Sequence, residues 1–93
     1  MEDCTYYTIK LTPLFDRTFK KLKRHDPETL RMLENGIAKI VQAPMLGKPL
    51  RNALRNYRRI HIASSFVLLY EVKDCKILLI DFDHHDRIYK KYS

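Results

Sequence analysis

The densest chemistry lies near the end of the chain, where His84-His85 stands among Asp81, Asp83 and Asp86 and is followed by Arg87 and Tyr89. Imidazole titrates near neutral pH, so either histidine can take or give a proton. Neighbouring carboxylates can orient the rings and favour their protonated form. A second set lies upstream, Arg59 and His61. The planar fork of arginine matches two phosphate oxygens, which makes Arg59 and Arg87 candidate clamps on a phosphoryl centre. Proton carriers and clamp together make a site that needs no metal. The same Asp and His residues could instead hold zinc or manganese. Adjacent strand residues point to opposite faces, however, which opposes a compact metal site unless the chain bends. The expectation is a site without metal or cofactor.

Arg59 and His61 belong to a longer basic stretch. Lys48, Arg51, Arg55, Arg58 and Arg59 occur with no acidic residue between Glu34 and Glu71. This uncompensated charge suits a phosphate-bearing partner, with Tyr57 and Tyr89 as stacking platforms for bases. The plainer reading is a solvated basic face on which His61 is an ordinary exposed histidine. The other tyrosines read as half-buried structural residues.

These residues need elements to position them. Tyr6 to Leu11 is β-branched and aromatic and reads as a first strand. Thr12-Pro13 then signals a helix start, with Leu14, Phe15, Thr18, Phe19 and Leu22 at helical spacing to about His25. Asp26-Pro27-Glu28 repeats the signal, and Leu30, Leu33, Ile37, Ile40 and Val41 form the stripe of a second helix. Gly36 costs this helix about 1 kcal/mol of propensity. So short a link predicts an antiparallel helical hairpin whose apolar stripes are core rather than a cofactor box. Ala43 to Pro49 reads as a loop, and Leu50 to Asn56 as a loop or edge segment. The alternating segment Tyr57–Ala63, a turn at Ser64-Ser65 and the segment Phe66–Lys73 read as a hairpin. After a turn at Asp74-Cys75, Lys76 to about Phe82 is a strand apolar on both faces, hence central or covered. The tail from Asp86 to Tyr92 allows one or two helical turns. The expected class is α+β: N-terminal strand, antiparallel helical hairpin, three antiparallel strands and a short C-terminal tail.

The chain has 93 residues, 45% of them apolar, with a net charge of +7. That length predicts a single domain over residues 1–93, burying roughly 60–65% of its unfolded surface. The charge favours a polyanion or an acidic protein as partner. No apolar run is long enough to span a membrane, and the acidic residues Glu2 and Asp3 oppose a signal peptide. Cys4 and Cys75, at no metal-ligand spacing, read as free thiols in a reducing cytosol, a Cys4–Cys75 bond being the alternative.

Taken in order, several segments resemble the RelE/ParE superfamily of type II toxins. They are Lys48-Pro49-Leu50, Tyr57-Arg58-Arg59-Ile60-His61-Ile62, Leu68-Leu69-Tyr70-Glu71-Val72 and Asp83-His84-His85-Asp86-Arg87-Ile88-Tyr89. For RelE-like members the resemblance implies a cytoplasmic mRNA interferase: a ribosome-dependent endoribonuclease that cuts mRNA in the A site without metal and so inhibits translation. It also implies a cognate RelB-like antitoxin that covers the basic surface, with a toxin–antitoxin heterotetramer among the assemblies open to it. Arg59, His61, His84, His85, Arg87 and Tyr89 fall at the catalytic positions. Lys48, Arg51, Arg55, Tyr57 and Arg58 are left as the RNA-binding surface. One departure is clear. Many active members carry Gly-Tyr-Arg before the third strand's Leu-Val-Tyr, the arginine contacting the scissile phosphate, whereas this chain has Ser65-Phe66-Val67. Valine cannot hold a phosphate. The departure keeps two alternatives open, a ParE-like gyrase poison and a non-catalytic module that binds only RNA or antitoxin.

Overall fold

The structure, a computed structural model, describes residues 4–51, 54 and 56–92. Arg55, assigned above to RNA binding, lies outside the described residues. Strand β1 (Thr8–Leu11) leads into helices α1 (Pro13–His25) and α2 (Pro27–Gln42), then a 3₁₀ turn at Pro44–Leu46. Strands β2 (Lys48–Pro49), β3 (Tyr57–Ile62), β4 (Phe66–Lys73) and β5 (Lys76–His84) follow, and α3 (His85–Lys91) closes the chain.

Both start signals act as expected. The Thr12 hydroxyl accepts from the Phe15 amide at 3.0 Å and donates to the Ile80 carbonyl at 2.7 Å, capping α1 while fastening it to β5. Asp26 ends α1, its amide donating to Leu22, and starts α2 by accepting from the Thr29 amide and hydroxyl at 3.2 and 2.7 Å. Those bonds to Thr29 hold the Asp26 carboxyl below its ordinary range. One residue serving both caps folds the helices into the expected hairpin.

The sheet runs β1-β5-β4-β3-β2, with β1 parallel to β5 and the other pairings antiparallel. One sheet face takes Phe15, Leu33 and Ile40 of the hairpin onto Ile62, Leu68, Tyr70, Ile77, Leu79 and Phe82. Gly36, a cost to the isolated helix, fits α2 closely against β3: a Cβ would lie 2.5 Å from Ile62 Cδ1, and that buried side chain would have to shift. Helix α3 lies against β4 and β5, burying Ile88. Strand β5 is thus central, as its apolar run implied, and α3 covers part of its second face, while Leu78 on that face stays half-buried.

The structure corrects several boundaries. Strand β1 starts at Thr8 rather than Tyr6, because Thr8 pairs with Lys76, the first residue of β5, where the β1–β5 pairing among the described residues begins. Lys48-Pro49, read as loop, pairs with Arg58 and Arg59; proline is tolerated on such an edge. Strand β5 continues past Phe82 to His84, where it still pairs with Phe66. The cysteines are not free thiols. Asp74 and Cys75 both adopt left-handed backbone in the β4–β5 turn, at φ 53° and 61°. That turn brings Cys75 beside the start of β1, and Cys4 and Cys75 are bonded with their Cα atoms 5.6 Å apart.

Candidate functional site

The two tail histidines meet because the chain bends between them. His84 closes β5 in extended backbone (φ −56°, ψ 143°) and caps α3, its Nδ1 accepting from the Asp86 amide at 3.3 Å. His85 is already helical. The amides of both are fixed, His84 donating to Asp83 Oδ1 and His85 to the Ser65 carbonyl, each at 2.8 Å. The imidazoles therefore stack, centroids 4.5 Å apart, instead of facing opposite ways. Of the three nearby carboxylates, Asp86 is the one beside the rings, 2.9 Å from His85 Nδ1 and 3.8 Å from His84 Nδ1.

Asp81 and Asp83 have a different task. Asp81, only 1% exposed, accepts from Lys91 Nζ at 3.1 Å and from the Tyr92 hydroxyl at 3.0 Å. Asp83 accepts from Arg87 at 2.9 Å and Lys91 at 3.5 Å. Burial raises the Asp83 carboxyl, but Arg87, the His84 amide and Lys91 outweigh it and hold the group below its ordinary range. Burial lowers Lys91, and its two carboxylate partners outweigh that and raise it. Burial, followed by the bond to Asp81, pushes the Tyr92 phenol well above the usual tyrosine range. These contacts tie the end of α3 to the sheet. Sequence reasoning placed Asp81 beside the histidines and gave Lys91 and Tyr92 no role. A lone aspartate among the apolar residues Leu79, Ile80 and Phe82, ten residues before a Lys-Tyr pair, was the available signal.

With α3 seated, the tail reaches the cation on β3. The Arg59 guanidinium carbon lies 6.0 Å from the centroid of the Tyr89 ring, within cation–π range. The His85 ring lies 6.1 Å from the same tyrosine, which is 42% exposed. Sheet cation, tail imidazole and an accessible aromatic thus share one surface. The other candidates are dispersed. Arg87 is paired to Asp83. His61 is exposed and lines a separate pocket of about 210 Å³ with Met32, Asn35 and Lys39. Arg58 turns to the opposite face and donates to the Gly47 carbonyl at 2.7 Å, bracing the loop before β2. Tyr57 is half-buried, edge-on to Tyr92. Lys48 and Arg51 are exposed. Val67 is fully buried, in register between His61 and Asp83.

Known proteins share this fold. The family model for the ParE toxin of the type II toxin–antitoxin system parDE matches residues 9–89. The protein described as toxin RelE4 of Methanocaldococcus jannaschii is 38% identical over 87 residues, covering 91% of this chain and 93% of its own. Among solved structures, the YoeB/ParE toxin from Agrobacterium tumefaciens superposes with a TM-score of 0.77 at 17% identity, covering 84% of this chain and 98% of that one. The toxin–antitoxin complex RelBE2 from Mycobacterium tuberculosis gives 0.69 at 26% identity, covering 86% and 99%. The α+β fold with a helical hairpin on one sheet face is thus that of the YoeB-like toxins. The chain belongs to the RelE/ParE superfamily of type II toxins.

Proposed function

We propose that this toxin is an mRNA endoribonuclease acting in the ribosomal A site without a metal. The carrying observation is the convergence of Arg59 and His85 on the exposed ring of Tyr89. Cleavage of RNA by its own 2′-hydroxyl needs a base for that proton, an acid for the departing 5′-oxygen and positive charge on the phosphorane. The Asp86 carboxylate beside His85 Nδ1 favours a proton on that nitrogen, which leaves Nε2 as the basic one. Arg59 clamps the phosphorane, Tyr89 stacks on a base, and His84 is the second proton carrier. Lys48 and Arg51 add charge along the RNA path. The regulator is an antitoxin of the RelB kind, as in the matched RelBE2 complex. Primer extension on mRNA in a translating extract tests this. The chain should produce discrete A-site cuts that His85→Ala and Arg59→Ala each abolish.

A second reading is favoured by the ParE description of the matching family model and by Val67 at the expected arginine position. In it the chain poisons DNA gyrase, and the histidines are incidental. Growth arrest with intact mRNA and stalled replication would establish that reading and remove the nuclease.

A further inference from the structure

We infer that His84, His85 and Asp86 form a binding site for one late first-row divalent ion, zinc or nickel. One donor atom from each residue lies within 4.8 Å of the other two. Two ligands on a tetrahedral zinc, with bonds of about 2.0–2.2 Å, stand roughly 3.4 Å apart. Asp86 Oδ1 stands 2.9 Å from His85 Nδ1 and Asp86 Oδ2 3.8 Å from His84 Nδ1, either side of that spacing, so side-chain rotation brings one carboxylate oxygen and both imidazoles onto an ion. The bend between the histidines removes the objection that adjacent strand residues diverge. It is also held in advance, since Asp83 Oδ1 and the Ser65 carbonyl fix the two histidine amides. Metal affinity falls when such supporting contacts are left loose, and here they are made before the ion arrives. The lone pair of His84 Nδ1 already faces a donor, the Asp86 amide, through a long 3.3 Å bond that the ion replaces.

Two imidazoles and one carboxylate select zinc or nickel over magnesium, which prefers oxygen. Three protein ligands leave a fourth position for water or another oxygen donor. The rings are 37–38% exposed, so the site loads from solvent without opening the fold. The ion displaces the proton from His85 Nδ1, the nitrogen that Asp86 orients, so it belongs to a resting form of this surface and has no part in cleavage.

The test is calorimetric titration of the full, tag-free chain with zinc chloride in a non-coordinating buffer, without RNA, so that it is independent of the nuclease reading. One equivalent should bind. His84→Asn, which keeps a capping side chain, and His85→Gln should each weaken binding by at least about tenfold. Asp86→Asn should do the same, and circular dichroism confirms that each variant is folded. His25→Gln, at the exposed end of α1, should leave the affinity unchanged, and magnesium should not compete. Zinc-dependent shifts of the ring nitrogens of His84 and His85 by NMR identify the ligands directly. Absence of saturable binding, or equal binding by all three site variants, overturns the site.

Discussion

The buried carboxylate of Asp81 gives the sharpest test of how the fold holds the site. Asp81→Asn keeps the volume and still accepts from the Tyr92 hydroxyl, but it puts a neutral amide opposite the Lys91 ammonium. Breaking a fully buried ion pair costs about 3–5 kcal/mol. Lys91, however, is 42% exposed and regains water when the carboxylate is lost. The expected cost is therefore nearer one charge-assisted hydrogen bond, about 2 kcal/mol. That cost falls on the seating of α3 rather than on the main core, because Asp81 joins β5 to the chain end and Phe15, Leu33 and Tyr70 lie on the opposite face. Hydrogen exchange is the right assay. The Tyr92 amide, which donates to Ile88 at 3.0 Å, should exchange roughly 30-fold faster at 2 kcal/mol, while amides of β4 and β5 change much less. Lys91→Met in the Asp81→Asn background should add less than it does alone, since only the longer 3.5 Å contact with Asp83 remains to be lost. Unchanged exchange at Tyr92, or uniform acceleration across the sheet, would refute the idea that this contact specifically seats the tail.

Stability of the tail should also depend on pH at both ends. Asp83 titrates below its unfolded value, so its contribution is present above about pH 4 and is lost as pH falls through the depressed folded value. Lys91 and Tyr92 titrate above theirs, so their contributions are full below about pH 10 and are lost as pH rises through the raised folded values. Tyr92 exchange protection, corrected for intrinsic rates, should therefore plateau in between; a steady slope across neutral pH contradicts the assignment. Reduction of the Cys4–Cys75 bond, whose partners are 71 residues apart, should lower stability by about 4 kcal/mol if chain entropy dominates. Denaturation midpoints with and without reductant measure this, and coincident curves would show that the bond constrains nothing. Gly47→Ala should cost about 1–3 kcal/mol, because the new Cβ would lie 2.7 Å from the Tyr70 hydroxyl and 2.9 Å from the Arg59 carbonyl. Urea unfolding checks it, and a neutral result would mean that the loop before β2 yields freely.

The sequence made some features legible because their causes are local. Capping by Thr12 and Asp26 acts within one helical turn, and the alternation of Ile60, His61 and Ile62 matches their burial, the histidine exposed and Ile62 buried. Other features depend on what lies across the sheet. The two-residue strand Lys48-Pro49 exists because β3 offers an edge, which nothing in Lys48 or Pro49 announces. The disulfide depends on the parallel pairing between β1 and β5, which lie far apart in sequence. Arg58 and Arg59 are chemically identical in sequence, yet alternation sends one to the Gly47 carbonyl and the other to the Tyr89 ring. The histidine pair was readable by type. Its geometry was not, because the bend at His84 is set by Ser65 and Asp83 from outside the dipeptide.

Val67 shows how seating and chemistry are linked on this surface. At that position the chain has a fully buried valine, on the sheet face where α3 packs, instead of a side chain able to reach a phosphate. An arginine there would have to carry its guanidinium out past the helix, at the expense of the apolar seat that Val67 and Ile88 provide. With valine in place the tail is held closely, and the positive charge beside Tyr89 comes from Arg59, opposite Leu69 on the neighbouring strand. With no arginine on β4, the proposed clamp rests on Arg59 of β3, where it is half-buried. Such a site depends on one arginine, and its proton carriers are positioned only while Asp81 and Asp83 hold α3 down. The proposed activity and the docking of the last seven helical residues therefore rise and fall together.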